Sequence, residues 1–542
     1  MTLTAKRLLR GLVSVGLAAA AFGVLPATVL ASPEAVPVPP NIPGAPKLPG
    51  PVAPAFTTPA SVGSLLLKPD TGVAGTKVTV SYKGLPANTN VSLVWSTYVN
   101  TWVVDGEPGT ANYMGRSSTP EDVVLASATT DSSGTLSTQI TIPRDWGGVH
   151  DIYAVINDSE VASAEFTVYR TVTVSPKSGP VGTPITITYS GIGASFYEGG
   201  GMVLWDNHYA GEIVSNWTRG WGRVVIRAAG SVGTHYIEVG DAISFLYMNI
   251  QQSPLPWANG STVSFRITKG NGKLPKTQVD MPRKIQATDS QITTLGTNGF
   301  SIVAAPGVTA TVSKQYTTAH APETVTATGL APNSSVSLVW QTVTGSRVNC
   351  TNPSGCWTNT PQTVGTATTN ASGDVSSTFT TPDGIPVNGV VAVNNDGLGG
   401  WHELDVEQNG QVMAHIAVNV RVSLVGKGVS SQTVKEGHKF TIDLIGLGWT
   451  QFDNTLAVDY DNSYVGYGCG FNSDGYTVIT LRATGGPGIH LIDLYPMLYS
   501  ATPSFANTPY GMVPFLNYAT DFPSLALGYK PEAIRLAIRV VK

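Results

Sequence analysis

The feature that most constrains this chain is a two-part unit written in it twice. Gly84-Leu-Pro-Ala-Asn-Thr-Asn-Val-Ser-Leu-Val-Trp95 recurs 245 residues later as Gly329-Leu-Ala-Pro-Asn-Ser-Ser-Val-Ser-Leu-Val-Trp340. Thr129-Thr-Asp-Ser-Ser-Gly134 recurs as Thr368-Thr-Asn-Ala-Ser-Gly373. Two further motifs recur at one shared offset of 255 residues: Trp205-Asp-Asn-His-Tyr-Ala-Gly211 with Tyr460-Asp-Asn-Ser-Tyr-Val-Gly466, and Gly233-Thr-His-Tyr-Ile-Glu-Val239 with Gly488-Ile-His-Leu-Ile-Asp-Leu494. A constant offset marks one duplicated module. The order A-B-A-B follows, with A1 at 60–169, B1 at 170–270, A2 at 305–420 and B2 at 421–542. Residues 271–304 read as a connector between the halves.

A weaker likeness ties A to B. Pro69-Asp-Thr-Gly72, Gly75 and Gly84 match Pro176-Lys-Ser-Gly179, Gly182 and Gly191, and Gly437 and Gly446 repeat the spacing of nine. Each unit also carries Gly-x-His, ending at His150, His235, His402 and His490. All four are therefore expected to be versions of one all-β fold. Lys77-Val-Thr-Val-Ser-Tyr82 and Thr183-Pro-Ile-Thr-Ile-Thr-Tyr189 alternate apolar and polar residues, the period of a half-buried strand. Ser132-Ser-Gly134 and Ala371-Ser-Gly373 supply hairpin turns between such runs. Short strands in units near 100 residues describe β-sandwiches. The run Ser175-Pro-Lys-Ser-Gly-Pro-Val-Gly-Thr-Pro-Ile-Thr-Ile-Thr-Tyr-Ser-Gly191 resembles the opening of bacterial immunoglobulin-like domains of the IPT/TIG type. Val161-Ala-Ser-Ala-Glu-Phe-Thr-Val168 is similar to their closing strands. The resemblance implies four tandem sandwiches and an extracellular life, and implies no chemistry. The tail from Tyr495 to Pro523 departs from it and reads as an elaboration.

The N-terminus supports export. Lys6, Arg7 and Arg10 precede an apolar stretch, and Val29-Leu30-Ala31 offers a cleavage point, so 1–31 reads as a signal peptide. An uncleaved anchor is the alternative reading. Residues 32–59 hold ten prolines and one aromatic, Phe56, and are expected to form an extended linker. Cys350 and Cys356 bracket a turn-rich stretch and are expected to close a local disulfide. Their spacing is not a usual zinc pattern, and Cys469 is left over. Only 12% of residues are charged and the net charge is −4. No basic patch for nucleic acid is present, nor a Lys/Arg cluster for anionic membrane. After leader cleavage no membrane insertion is expected.

The candidate sites each carry two readings. The four histidines of Gly-x-His sit in separate units and are expected to bond back to the preceding turn, as a tyrosine corner does. Asp206-Asn207-x-Tyr209 and Asp461-Asn462-x-Tyr464 occur only in B. They read as Asx-stabilised turns, or as ligand loops whose oxygens suit calcium, with Asp459 two residues before Asp461. Trp217 and Trp221 in B1 read as packing residues, or as stacking faces for a glycan. There is no Gly-x-Ser-x-Gly elbow, His-Glu-x-x-His or Walker loop, and His402-Glu403 lacks the second zincin histidine in sequence. The reading that follows is a secreted, rod-like, non-catalytic cell-surface or matrix protein that meets surface proteins or glycans and self-associates through strand edges. It needs no cofactor beyond that calcium. The alternative is a glycan- or peptide-binding module on the B loops, and the third reading is a hydrolase assembled across loops.

Overall fold

The computed structural model describes residues 47–105, 112–194, 200–241, 261–280, 304–345, 357–470, 474–498, 513–527 and 531–542. The segment read as a signal peptide, most of the linker, Cys350 and Cys356 lie outside them. Cys469 is exposed at the end of the strand Ser463–Cys469. Among the described residues the elements are strands, apart from one 3₁₀ turn at Pro523–Leu527. No helix there is long and apolar enough to cross a membrane.

The strands build four immunoglobulin-like sandwiches in chain order. Each pairs a three-stranded sheet with one of five or six strands. The alternation read from sequence sets the inward faces: Val78 and Val80 of Lys77–Tyr82, and Ile185, Ile187 and Tyr189 of Pro184–Ser190, are buried. In the first sandwich the strand Asn90–Asp105 is central, between Gly148–Ile156 and Asn112–Thr129. In the second, Gly200–Trp205 lies between His208–Val214 and Gly233–Asp241. The fourth repeats this with Thr455–Tyr460 between Ser463–Cys469 and Gly488–Pro496.

Parts of the linker and the connector, both read from sequence as spacers, pack on the sandwiches, and so does the C-terminal elaboration. Residues 51–58 of the linker lie on the first sandwich, with Ala53 N donating to Asp122 O and Thr57 N to Asp158 O. Phe56 packs on Tyr153 with ring centres 5.3 Å apart and adds an apolar contact to these hydrogen bonds. The connector supplies the edge strand Gln278–Asp280, antiparallel to Ala533–Val541 of the fourth sandwich. The C-terminal elaboration stitches the second sandwich to the fourth. Glu212 N donates to Pro514 O, Leu516 N to Glu212 O, and Asn517 Oδ1 accepts from Val214 N.

These contacts revise the rod of successive beads, because sandwiches far apart in sequence touch. The core of the second sandwich runs on without a break into Trp102 of the first, Trp401 of the third, and Phe452, Phe515 and Phe522 of the fourth. Within each half the joint is a glycine contact. Gly147 N donates to Ile192 O and Gly399 N to Leu447 O. A Cβ on Gly147 would lie 1.9 Å from Gly191 O, and one on Gly399 1.9 Å from Gly446 O. Only glycine lets the backbones approach so closely.

Candidate functional site

The Gly-x-His motif is one device built four times. In each sandwich Nε2 faces the carbonyl four residues earlier: Trp146 for His150, Ser231 for His235, Leu398 for His402 and Gly486 for His490. Each ring stacks on an aromatic of a central strand: Trp95 and Trp340 within their strands, Trp205 and Tyr460 at the ends of theirs. Nδ1 then meets the residue after that aromatic. In the first and third sandwiches this partner is a backbone oxygen, of Ser96 and Gln341. In the second and fourth it is a carboxylate, of Asp206 and Asp461, each at 2.5 Å. The chemistry follows the partner. Burial outweighs two carbonyls and holds His402 down at about 4. At His490 burial is overcome by Asp461, and the imidazole is held above its usual range. The aromatic half of this unit was not singled out in sequence, although Trp95 and Trp340 end the longest repeat.

The Asp-Asn pairs are two-residue hairpin turns with both residues at positive φ: 49° and 69° at Asp206 and Asn207, 52° and 59° at Asp461 and Asn462. This is the backbone a tight hairpin requires, and Asp and Asn tolerate it. The second carboxylate oxygen of each Asp accepts a backbone N–H, from Tyr236 and Leu491. Asn207 is exposed, whereas Asn462 is buried and donates to Arg227 O at 2.7 Å in the second sandwich. The equivalent tyrosines, Tyr209 and Tyr464, meet edge to face 6.3 Å apart. The two turns thus face one another across a seam. Asp459 and Asp461 do not share a face, because Asp461 belongs to the turn. Asp459 instead opposes Asp493 on the neighbouring strand.

Trp217 and Trp221 lie elsewhere. The Asp206 turn closes one end of the hairpin that pairs Gly200 with Val214 at the other, and both tryptophans follow that far end. Seven residues of strand separate the ends by roughly 20 Å. Trp217 is buried edge-on against Trp102. Trp221 lines an open cleft of about 610 Å³ between the first and second sandwiches, with the exposed Arg144 4.8 Å above its ring. Thr171, Thr173, Thr188 and Ser190 add hydroxyls to the same cleft.

Several buried ion pairs and carboxyl groups sit at the seams. Arg219 of the second sandwich enters the first, bonding Asp145 at 2.5 Å, Thr97 at 2.6 Å and Tyr98 O at 2.7 Å. At the same offset the second half carries Asp474, which faces Asp396, and burial plus that charge pushes the Asp396 carboxyl up to about 7. Arg227 bridges to Asp493 of the fourth sandwich at 2.7 Å, while Arg535 reaches back to Val225 O at 2.9 Å. Asp521 accepts from Trp102 and from Trp217 and Thr218, and burial lifts it to about 6. Glu212 is lifted by burial to about 7.

A dependence of stability on pH follows. Glu212, Asp396 and Asp521 bind protons more tightly folded than unfolded, so their contribution is whole below about pH 4. It is lost as pH rises through 6 to 7. His402 opposes this, losing stability as pH falls from 6.5 towards 4, but one imidazole stands against three carboxyls. The protein is expected to melt at a higher temperature at pH 5 than at pH 8. Glu212→Gln should flatten the slope, since its shift corresponds to about 3 kcal/mol. A melting temperature that climbs from pH 5 to 8 contradicts this account.

No family model matches the chain, and no curated protein matches it significantly. Among solved structures it overlaps invasin, a bacterial integrin-binding protein, at 10% identity over 88% of this chain and 79% of that one, with a TM-score of 0.18. The Escherichia coli adhesin FdeC overlaps at 15% identity, over 67% and 98% of the two chains, TM-score 0.13. The eight N-terminal Ig domains of Down syndrome cell adhesion molecule overlap at 12% identity, over 89% and 48%, TM-score 0.16. At these scores no residue, partner or activity carries over to this chain.

Proposed function

We propose that the chain is a secreted, non-catalytic component of a cell surface or extracellular matrix, in which four sandwiches form a stiff platform for surface proteins or glycans. The observation that carries this reading is where the buried charge sits. Arg219–Asp145, Arg227–Asp493 and the Asp521 cluster all join one sandwich to another. Ion pairs removed from water demand fixed geometry and leave little freedom to hinge, which suits a part that bears load or presents a surface. A second reading, recognition of a glycan or peptide, is favoured by the cleft at Trp221. An aromatic face, a guanidinium and a row of hydroxyls are the groups such ligands use.

Beads coated with the purified protein, passed over immobilised matrix proteins and a glycan panel, test both. Selective retention is expected, and Trp221→Ala should weaken it about tenfold, or about 1.4 kcal/mol, with an unchanged melting temperature. Retention untouched by Trp221→Ala moves the partner away from the cleft. No retention on any surface, combined with turnover of a hydrolase substrate panel, sinks the platform reading.

A further inference from the structure

The third sandwich gathers a cluster that neither the seams nor the cleft uses. Glu403, Asp405 and His415 stand on the hairpin of Gly400–Gln408 and Gln411–Arg421, and one ligand atom from each lies within 4.8 Å of the others. Glu403 and Asp405 are two apart on a strand and so share a face. His415 is the cross-strand partner of Asp405. Its Nδ1 touches Glu403 Oε1 and lies 2.8 Å from Asp405 Oδ1. Each carboxylate residue is 3% exposed, whereas the His415 side chain is 27% exposed, which leaves one side of the cluster open. Glu403 Oε2 is buried without a hydrogen-bond partner. Gln341 Nε2 donates to Asp405 Oδ2 at 2.8 Å and fixes that carboxylate from behind.

We propose that Glu403, Asp405 and His415 form a site for one divalent transition-metal ion, with Zn²⁺ the best fit. Two buried carboxyl groups aimed at one imidazole offer more oxygen ligands than the imidazole can meet, and Glu403 Oε2 is left over. One nitrogen and two oxygens are a zinc ligand set, and the open side leaves a fourth position for water. An oxygen-only ion such as Ca²⁺ gains nothing from the imidazole. To admit Zn²⁺ both contacts of His415, to Asp405 and to Glu403, open to about 3.4 Å, the spacing of tetrahedral ligands near 2.1 Å. Gln341 then acts as an outer partner that orients a ligand. The role is structural: the ion ties the two strands of the hairpin together.

Calorimetric titration of ZnCl₂ into the metal-stripped protein should give one saturable site that 1 mM CaCl₂, about a thousandfold above micromolar zinc, does not compete away. Glu403→Gln and His415→Gln should each weaken binding about tenfold or more. Because these changes can unsettle the hairpin itself, wild-type crystals soaked in zinc give an independent reading. An anomalous peak is expected at about 2.0–2.1 Å from His415 Nδ1. Absence of a saturable site, displacement by calcium, variants that bind like wild type, or a peak elsewhere each overturns the proposal.

Discussion

Asp521→Ala is expected to destabilise the seam between the first, second and fourth sandwiches by about 4 kcal/mol. The carboxylate is fully buried and takes donors from two other sandwiches: Trp102 Nε1 at 2.8 Å, Trp217 N at 2.9 Å, Thr218 N at 3.2 Å and Thr218 Oγ1 at 3.1 Å. Alanine leaves all four without an acceptor, and each buried orphan costs about 1–3 kcal/mol unless water enters. Asp521→Asn keeps one acceptor but turns an NH₂ toward the remaining donors, so it should recover no more than half. Calorimetry and Trp fluorescence read the result. The Ala variant should melt earlier, and its emission should shift red as Trp102 and Trp217 lose their cover. A melting temperature within about 1 °C of wild type, where 1 kcal/mol is worth about 2–4 °C in a large domain, would show that the tail does not hold this seam in solution.

The sandwiches were legible because their signals are local. Period-two runs, turn glycines and a repeated motif each lie within a dozen residues, and together they fix strands and their inward faces. The seams were not legible, because nothing within a strand says what covers its outer face. Arg223 and Arg227 occupy one strand, Gly222–Arg227, yet Arg223 is exposed and Arg227 buried, since the fourth sandwich covers one end of the sheet and not the other. Glu212 and Asp521 carry no local mark of burial either, since each is covered by a segment about 300 residues away. The Glu403 cluster was missed for a subtler reason. Asn409-Gly410 sets a tight hairpin with Gln408 opposite Gln411. Regular pairing from that turn places Asp405 opposite Ala414 and sends His415 to the other face. A bulge between Val406 and Glu407 shifts the register by one and brings His415 across from Asp405. His415 lies ten residues from Asp405 in sequence, and only the bulge puts it beside the carboxylates.

Arg227→Met should cost about 3–5 kcal/mol, the penalty for removing one partner of a buried ion pair. The guanidinium reaches from the second sandwich into the fourth. It bridges Asp493 at 2.7 Å and donates to Ile492 O at 3.1 Å and Leu536 O at 2.7 Å, so it closes two backbone acceptors as well as one charge. Methionine fills much of the volume and satisfies none of these groups. Asp493 keeps Arg535 at 3.3 Å, but it also opposes Asp459, whose two oxygens are buried and unpartnered. Burial and the charge of Asp493 already push the Asp459 carboxyl well above its usual range. With Asp459 held neutral, removing Arg227 leaves Asp493 with the 3.3 Å contact to Arg535 alone and leaves two buried carbonyls without their donor. Arg227→Lys should recover less than half, since a single ammonium cannot span a carboxylate and two carbonyls in one plane. The signature is loss of coupling as well as a lower melting temperature. In wild type the second and fourth sandwiches should unfold together, whereas in Arg227→Met calorimetry should resolve two transitions and protease should cut between them. A single transition at the wild-type temperature would place the stability of this seam in the apolar contacts of Ala229, Leu491 and Ala537, and not in the ion pair.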